Sequence, residues 1–231
     1  MDFGRTYTKM PKTTQKSSAG RAPGFLPALF GALLALTALP QAAAAPAEKV
    51  LVFFGDSLTA GYGLDNPATD AYPALIQARL RAAGLPWRVV NAGLSGETTA
   101  GGLRRIDWTL RTPPDLFVLA LGANDGLRGI SPALVRSNLE EIIERVRKRQ
   151  PAATIVLAGM QMPPELGPDH AAAFARVFPE VAEKTGATLI PFLLDGVGGV
   201  AELNQGDRIH PNPAGHSVMA ETVWKTLQPL L

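Results

Sequence analysis

Cysteine is absent from all 231 residues of this sequence. Without thiols the chain can form neither a disulfide framework nor a thiolate zinc site, and no cysteine is available for a lipid anchor. The net charge of the chain after residue 45 is also small. Residues 1–45 hold five of the 22 basic residues and one of the 20 acidic residues, so the remainder holds 17 and 19, a net charge of −2. A nucleic-acid partner is therefore not expected.

Two familiar motifs are missing as well. No G-x-G-x-x-G opens the first predicted helix, which makes a Rossmann-type nucleotide binder a poor fit. The candidate nucleophile Ser57 follows Gly55 and Asp56 rather than lying in a G-x-S-x-G elbow, which excludes the hydrolases that carry that elbow. The sequence shows no internal repeat and no second domain.

The first 45 residues are typical of a secretory signal peptide. Basic residues precede an apolar run, Phe25 to Leu39, and small residues follow it from 41 to 47. Cleavage is expected between 44 and 47, which leaves a domain over 46–231. The alternative is an uncleaved anchor, but the apolar core is shorter than the ~20 residues that a membrane span needs. Both interpretations place the domain outside the cytoplasm, periplasmic or secreted, and after cleavage no stable membrane span is expected.

Downstream of the leader, apolar segments alternate with helical patterns. The predicted strands cover 50–54, 87–91, 116–121, 155–157 and 188–192. This alternation predicts an α/β fold, a parallel sheet with helices on both faces. In such sheets functional groups gather at the carboxyl ends of the strands.

The polar residues that follow the predicted strands favour acyl transfer at a serine. Ser57 follows the first strand after a glycine turn and is the candidate nucleophile. In the loop after the fifth strand, His210 is the candidate base and Asp207, three residues earlier, the group that orients it. The backbone N–H groups of Ser57 and Gly96 and the side-chain amide of Asn124 are the candidate donors to an oxyanion.

Four sequence blocks resemble the GDSL, or SGNH, hydrolase family. They are Gly55-Asp56-Ser57-Leu58, the small-residue turn from Asn91 to Thr98, Gly122-Ala123-Asn124-Asp125, and Asp207-Arg208-Ile209-His210-Pro211-Asn212. The resemblance runs from Val50 to the C-terminus and is closest to the family's bacterial secreted thioesterase, arylesterase and lysophospholipase group. It implies a flavodoxin-like three-layer sandwich with a five-stranded parallel sheet. It also implies hydrolysis of esters and thioesters without a metal or other cofactor.

Two positions depart from the pattern of that family. Ala123 replaces its usual second glycine, and Glu97 replaces its usual aspartate. Neither position is assigned a catalytic role, so the departures put little of the resemblance in doubt.

Other polar residues near these blocks are interpreted as structural or solvated. Asp56 is expected to stabilise the turn around Ser57, and Asp125 to brace the Asn124 loop. A structural role is expected for His216. The side chains expected in solvent are His170, Arg128 and the pair Arg104-Arg105.

Apolar residues in the loops favour an acyl substrate. Leu127, Ile130 and Met162 could line an acyl pocket, although loop packing explains them equally well. The expected partner is a small-molecule acyl ester or thioester, and the protein is expected to be a monomer. A carbohydrate O-deacetylase is the alternative within the same enzyme class. A non-catalytic binding module would be expected to lose Ser57, His210 or Asp207, and all three are present.

Overall fold

The computed structural model describes residues 11–14, 20, 47–163, 165 and 167–231. The predicted signal peptide, including its apolar run, lies almost wholly outside the described residues. The strands and helices below belong to the compact unit Ala45–Leu231. Among the helices that the structure describes, none combines the length and the apolar character that crossing a membrane requires.

The described part of the chain contains one sheet of five parallel strands, ordered β2-β1-β3-β4-β5. The strands are β1 (Lys49–Gly55), β2 (Trp87–Gly93), β3 (Leu116–Ala120), β4 (Thr154–Ala158) and β5 (Thr188–Ile190). In the register of the sheet, Leu51 of β1 pairs with Val89 of β2 and with Leu116 of β3. The predicted five-stranded parallel α/β fold is confirmed.

Helices cover both faces of this sheet. Their bounds are α1 (Ser57–Ala60), α2 (Pro67–Asp70), α3 (Tyr72–Ala82), α4 (Thr99–Thr109), α5 (Ala123–Leu127), α6 (Pro132–Arg149), α7 (Pro168–Thr185) and α8 (Pro213–Leu227). Helix α3 packs with α8, whereas α6 packs with both α4 and α7. Every residue of β3 is buried, as expected for a central strand covered on both faces.

The ends of the outer strands differ from the prediction. Strand β5 stops at Ile190 rather than continuing to Phe192, because Pro191 has no N–H to donate to the ladder. Strand β2 continues past Asn91 to Gly93, which stays in register with Gly55 of β1. The loops that follow β1 and β2 therefore start side by side.

Candidate active site

Ser57 is the first residue of α1, immediately after β1, and only 9% of it is exposed. The preceding Asp56 is fully buried, and its Oδ1 accepts a hydrogen bond from the N–H of Leu58 at 3.0 Å. The structure thus agrees with the turn-stabilising role predicted for Asp56. Burial raises the pKa of this carboxyl group to about 7, and its backbone hydrogen bonds partly oppose this increase.

His210 lies between Ser57 and Asp207. Its Nε2 is 3.0 Å from Ser57 Oγ, and its Nδ1 is 2.6 Å from Asp207 Oδ2. One tautomer satisfies both contacts: Nδ1–H donates to the carboxylate, and Nε2 accepts from the serine hydroxyl. Residues 153 positions apart are therefore arranged as nucleophile, base and orienting acid would be.

Backbone donors hold the Asp207 carboxylate in place. Its Oδ1 accepts the N–H groups of Ile209 at 2.9 Å and His210 at 3.0 Å, which leaves Oδ2 for the imidazole. Hydrogen bonds lower the pKa of this carboxyl group to about 2. The largest contribution comes from the His210 N–H, and the next from the contact with the imidazole. Arg208, directly after Asp207 in the sequence, has φ 58°, a left-handed conformation that is strained for a residue other than glycine.

An aromatic ring covers the imidazole. The Tyr62 ring lies 4.7 Å from the His210 ring, centroid to centroid, and 54% of Tyr62 is exposed. Gln205 Nε2 donates to Tyr62 O at 2.7 Å and to Pro211 O at 3.0 Å. This glutamine thus ties the loop after α1 to the loop that carries His210.

The three predicted oxyanion donors lie at the ends of β1, β2 and β3. Among the described groups, neither the Ser57 N–H nor the Gly96 N–H has a hydrogen-bond acceptor. Gly96 has φ +78°, which favours glycine, in a turn closed by a bond from Glu97 N–H to Leu94 O at 3.1 Å. Asn124 Nδ2 donates one hydrogen to Glu97 O at 3.0 Å, and its second amide hydrogen remains for another acceptor.

Among the residues that the structure describes, no three His, Asp or Glu side chains lie close enough together to hold a metal ion.

Residues 53–218, which include every residue of this arrangement, match the family described as the GDSL-like Lipase/Acylhydrolase family. The chain belongs to the GDSL-like lipase/acylhydrolase family.

Individual members of the GDSL-like family agree with this assignment. Esterase TesA of Pseudomonas aeruginosa is 44% identical over 204 residues, covering 88% of this chain and 98% of that protein. Thioesterase 1/protease 1/lysophospholipase L1 of Escherichia coli strain K12 is 35% identical, covering 89% and 93% respectively. A crystal structure of TesA superposes with a TM-score of 0.75 at 44% identity, covering 79% of this chain and all of that one.

Asp125 stabilises the segment that carries Asn124, as predicted. Its carboxylate accepts the Thr99 N–H at 2.9 Å and the Thr99 hydroxyl at 2.6 Å, which connects α5 to the start of α4. Burial raises its pKa, and the two bonds from Thr99 oppose that shift.

Of the four side chains expected in solvent, Arg104 and Arg128 are exposed as predicted, whereas the prediction was wrong for His170 and Arg105. His170 is half-buried, and its Nε2 lies 3.3 Å from Gly126 O. Arg105 is largely buried beneath the turn that contains Gly96, whereas its neighbour Arg104 is exposed. Arg128 is exposed but donates to Gly96 O at 3.1 Å.

The candidate acyl-pocket residues differ in their exposure. Leu127 is 45% exposed, Ile130 is partly buried against the core, and Met162 is 9% exposed. Met162 packs against Gly126, where an added Cβ would lie 2.3 Å from Met162 Sδ. Leu127 therefore offers an exposed apolar surface three residues after Asn124 in α5, whereas Met162 contacts α5 from the core.

His216 is buried in α8 and has the structural role predicted for it. Its Nδ1 accepts the Tyr72 N–H at 3.2 Å, which joins α8 to the start of α3. Burial lowers its pKa from 6.5 to about 4, so this histidine is neutral in the folded protein near neutral pH.

Replacing His216 with asparagine should flatten the loss of stability in acid. The unfolded histidine takes up a proton near pH 6.5, whereas the folded one resists until about pH 4. Its contribution is therefore complete above pH 6.5 and falls by about 3 kcal/mol as the pH drops through this window. Asparagine keeps an acceptor for the Tyr72 N–H and does not titrate. Urea unfolding at about pH 7 and about pH 4.5 measures the slope.

The control for that experiment is Ser217→Asn, which places an asparagine at an exposed position of the same helix and removes no histidine, so it should keep the wild-type slope. An unchanged slope in His216→Asn would show that other groups cause the acid loss.

Proposed function

We propose that this protein is a serine esterase and thioesterase that hydrolyses acyl esters and thioesters through an acyl-enzyme on Ser57. The observation that carries the proposal is the pair of contacts on His210, 3.0 Å to Ser57 Oγ and 2.6 Å to Asp207 Oδ2. The names of the relatives, esterase and thioesterase 1/lysophospholipase L1, support the same class of bond.

The first half of the reaction forms the acyl-enzyme. Ser57 Oγ attacks the carbonyl carbon while His210 Nε2 takes the hydroxyl proton. The carbonyl oxygen becomes an oxyanion, which the N–H groups of Ser57 and Gly96 and the amide of Asn124 stabilise. As the intermediate collapses, the C–O or C–S bond breaks and His210 returns the proton to the leaving alcohol or thiol.

The second half reverses these roles with water. His210 takes a proton from a water molecule as its oxygen attacks the acyl-enzyme carbonyl. Collapse breaks the bond to Ser57 Oγ, which regains a proton from His210, and the carboxylic acid leaves. Asp207 stays ionised throughout, because its pKa is held near 2, and keeps the Nδ1–H directed away from the serine.

The substrates we propose are esters and thioesters whose acyl chain contacts Leu127. We also propose that the enzyme acts outside the cytoplasm. Leu127 is exposed and lies three residues after Asn124 in α5, a spacing that puts the two residues on the same side of a helix. The signal-like leader supports a periplasmic or secreted enzyme. Met162, held in the core under α5, would shape the same wall indirectly.

The test is a panel of p-nitrophenyl esters of increasing acyl length, an acyl thioester and an acetylated sugar, with chelator present. The enzyme is the mature protein from the periplasm or medium, cut between residues 44 and 47 as we propose. We expect cleavage of esters and thioesters. Leu127→Ala should lower kcat/KM for long chains relative to short ones by about 10-fold, because apolar contact is lost.

Leu134→Ala, at an exposed leucine on α6, is the matched control and should leave the length profile unchanged. If neither Leu127→Ala nor the volume-conserving Met162→Leu alters the profile, the acyl pocket lies elsewhere. Cleavage of the acetylated sugar alone would instead favour the deacetylase alternative.

A further inference from the structure

Arg105 contacts three segments of the chain that lead to the proposed oxyanion donors. From α4, its Nη2 donates to Ala92 O at 2.9 Å and to Gly55 O at 3.2 Å. Its Nε donates to the Glu97 carboxylate, and its guanidinium lies 4.0 Å from the centroid of the Phe54 ring. One side chain thus contacts the ends of β1 and β2 and the end of the turn over residues 93–97.

Those contacts lie next to each proposed oxyanion donor. Gly55 is two residues before Ser57, and its carbonyl also accepts the Leu94 N–H at 3.0 Å. Glu97 follows Gly96 directly, and the Glu97 carbonyl accepts the Asn124 amide at 3.0 Å. Arg105 and Glu97 therefore contact the chain next to Ser57 and Gly96, and the Glu97 carbonyl holds the Asn124 amide.

Gly101 leaves space for Glu97, the acidic partner of Arg105 in this ion pair. Glu97 is 9% exposed although it carries a charge, and its side chain approaches α4 at Gly101. A Cβ added at Gly101 would lie 2.6 Å from Glu97 Oε1, so any larger residue would push the carboxylate away. Buried charges are rare unless they are paired, and here Arg105 provides the pairing.

We propose that Arg105 and Glu97 are positioning residues that fix the oxyanion donors of this enzyme, an inference that rests on the proposed function. Donors directed at an oxyanion act mainly in the transition state. Loosening them lowers kcat and leaves KM nearly unchanged, because ground-state binding of the ester does not depend on them.

The decisive variants are Arg105→Lys and Glu97→Gln, measured by steady-state hydrolysis of a p-nitrophenyl ester. Lysine keeps the charge but lacks the planar fork that reaches three acceptors. We expect kcat to fall by about 10- to 100-fold with KM within about twofold, less than the 10²–10³-fold expected for Asn124→Ala, which removes a donor itself. Arg104→Lys, at the exposed neighbouring arginine, is the matched control and should keep the wild-type kcat.

A double-variant cycle separates positioning from a general loss of stability. In the Asn124→Ala background, Arg105→Lys should cost clearly less than it does alone, because both changes act on the same donors. Full additivity, a change in KM without a change in kcat, or wild-type kcat in both single variants would each overturn the inference. If Arg105→Lys does not fold, Glu97→Gln carries the test alone. Inactive wild-type and Arg104→Lys proteins would contradict the proposed function itself.

Discussion

Replacing Ser57 with alanine is expected to lower kcat for ester hydrolysis by at least about 10⁴-fold. In the proposed mechanism the variant loses the atom that forms the acyl-enzyme, so any activity that remains would come from the proposed oxyanion donors and substrate binding. The hydroxyl's one described side-chain contact is with His210, so the folded structure should persist. Burst-phase and steady-state release of p-nitrophenol measure the loss, and thermal unfolding checks the fold.

Ser217→Ala is the matched control for this experiment. Ser217 is exposed on α8, where its hydroxyl donates to Pro213 O, and its loss should leave kcat unchanged. A phosphonate ester provides an independent readout, since it should add mass to the wild-type protein and to Ser217→Ala but not to Ser57→Ala. Wild-type turnover in Ser57→Ala would exclude Ser57 as the nucleophile and, with it, the proposed mechanism.

Much of the fold and the gathering of the candidate residues could be predicted because both depend on local patterns. Apolar runs mark buried parallel strands, and a polar residue directly after such a run lies at the sheet's carboxyl edge. Ser57, Gly96 and Asn124 lie two, three and four residues after the ends of β1, β2 and β3. Asp207 and His210 are three residues apart, so their contact is also local.

What could not be predicted depends on contacts between distant residues. Arg105 reaches Gly55, 50 positions away, and nothing in the pattern of α4 distinguishes it from the exposed Arg104. Tyr62 lies against the His210 ring, and Gln205, five residues before His210, donates a hydrogen bond to the Tyr62 carbonyl. The left-handed conformation of Arg208 has no sequence signal, since glycine would be the residue expected there. Sequence patterns indicate which helices and strands form, whereas the contacts of these side chains depend on how the helices, strands and loops pack together.

Asp207→Asn is expected to lower kcat by about 10³-fold, the second largest effect. The carboxylate can only accept from Nδ1, which leaves Nε2 free to accept the Ser57 proton. An asparagine amide can donate to Nδ1 instead, which would place the imidazole hydrogen on Nε2, facing the serine. The Asp207 side chain is 39% exposed, so solvent screens part of its charge and we expect a smaller loss than at a fully buried triad.

The tautomer itself distinguishes this explanation from simple loss of charge. Nitrogen-15 NMR of the imidazoles should show the hydrogen on Nδ1 of His210 in the wild type and on Nε2 in Asp207→Asn, with His210→Ala used to assign the signal among three histidines. Asp195→Asn, at an exposed aspartate in the loop after β5, should change neither the tautomer nor kcat. If kcat fell while the hydrogen stayed on Nδ1, Asp207 would act by stabilising the imidazolium charge. If kcat did not fall at all, the 2.6 Å contact would be structural, and Ser57 and His210 would act as a dyad.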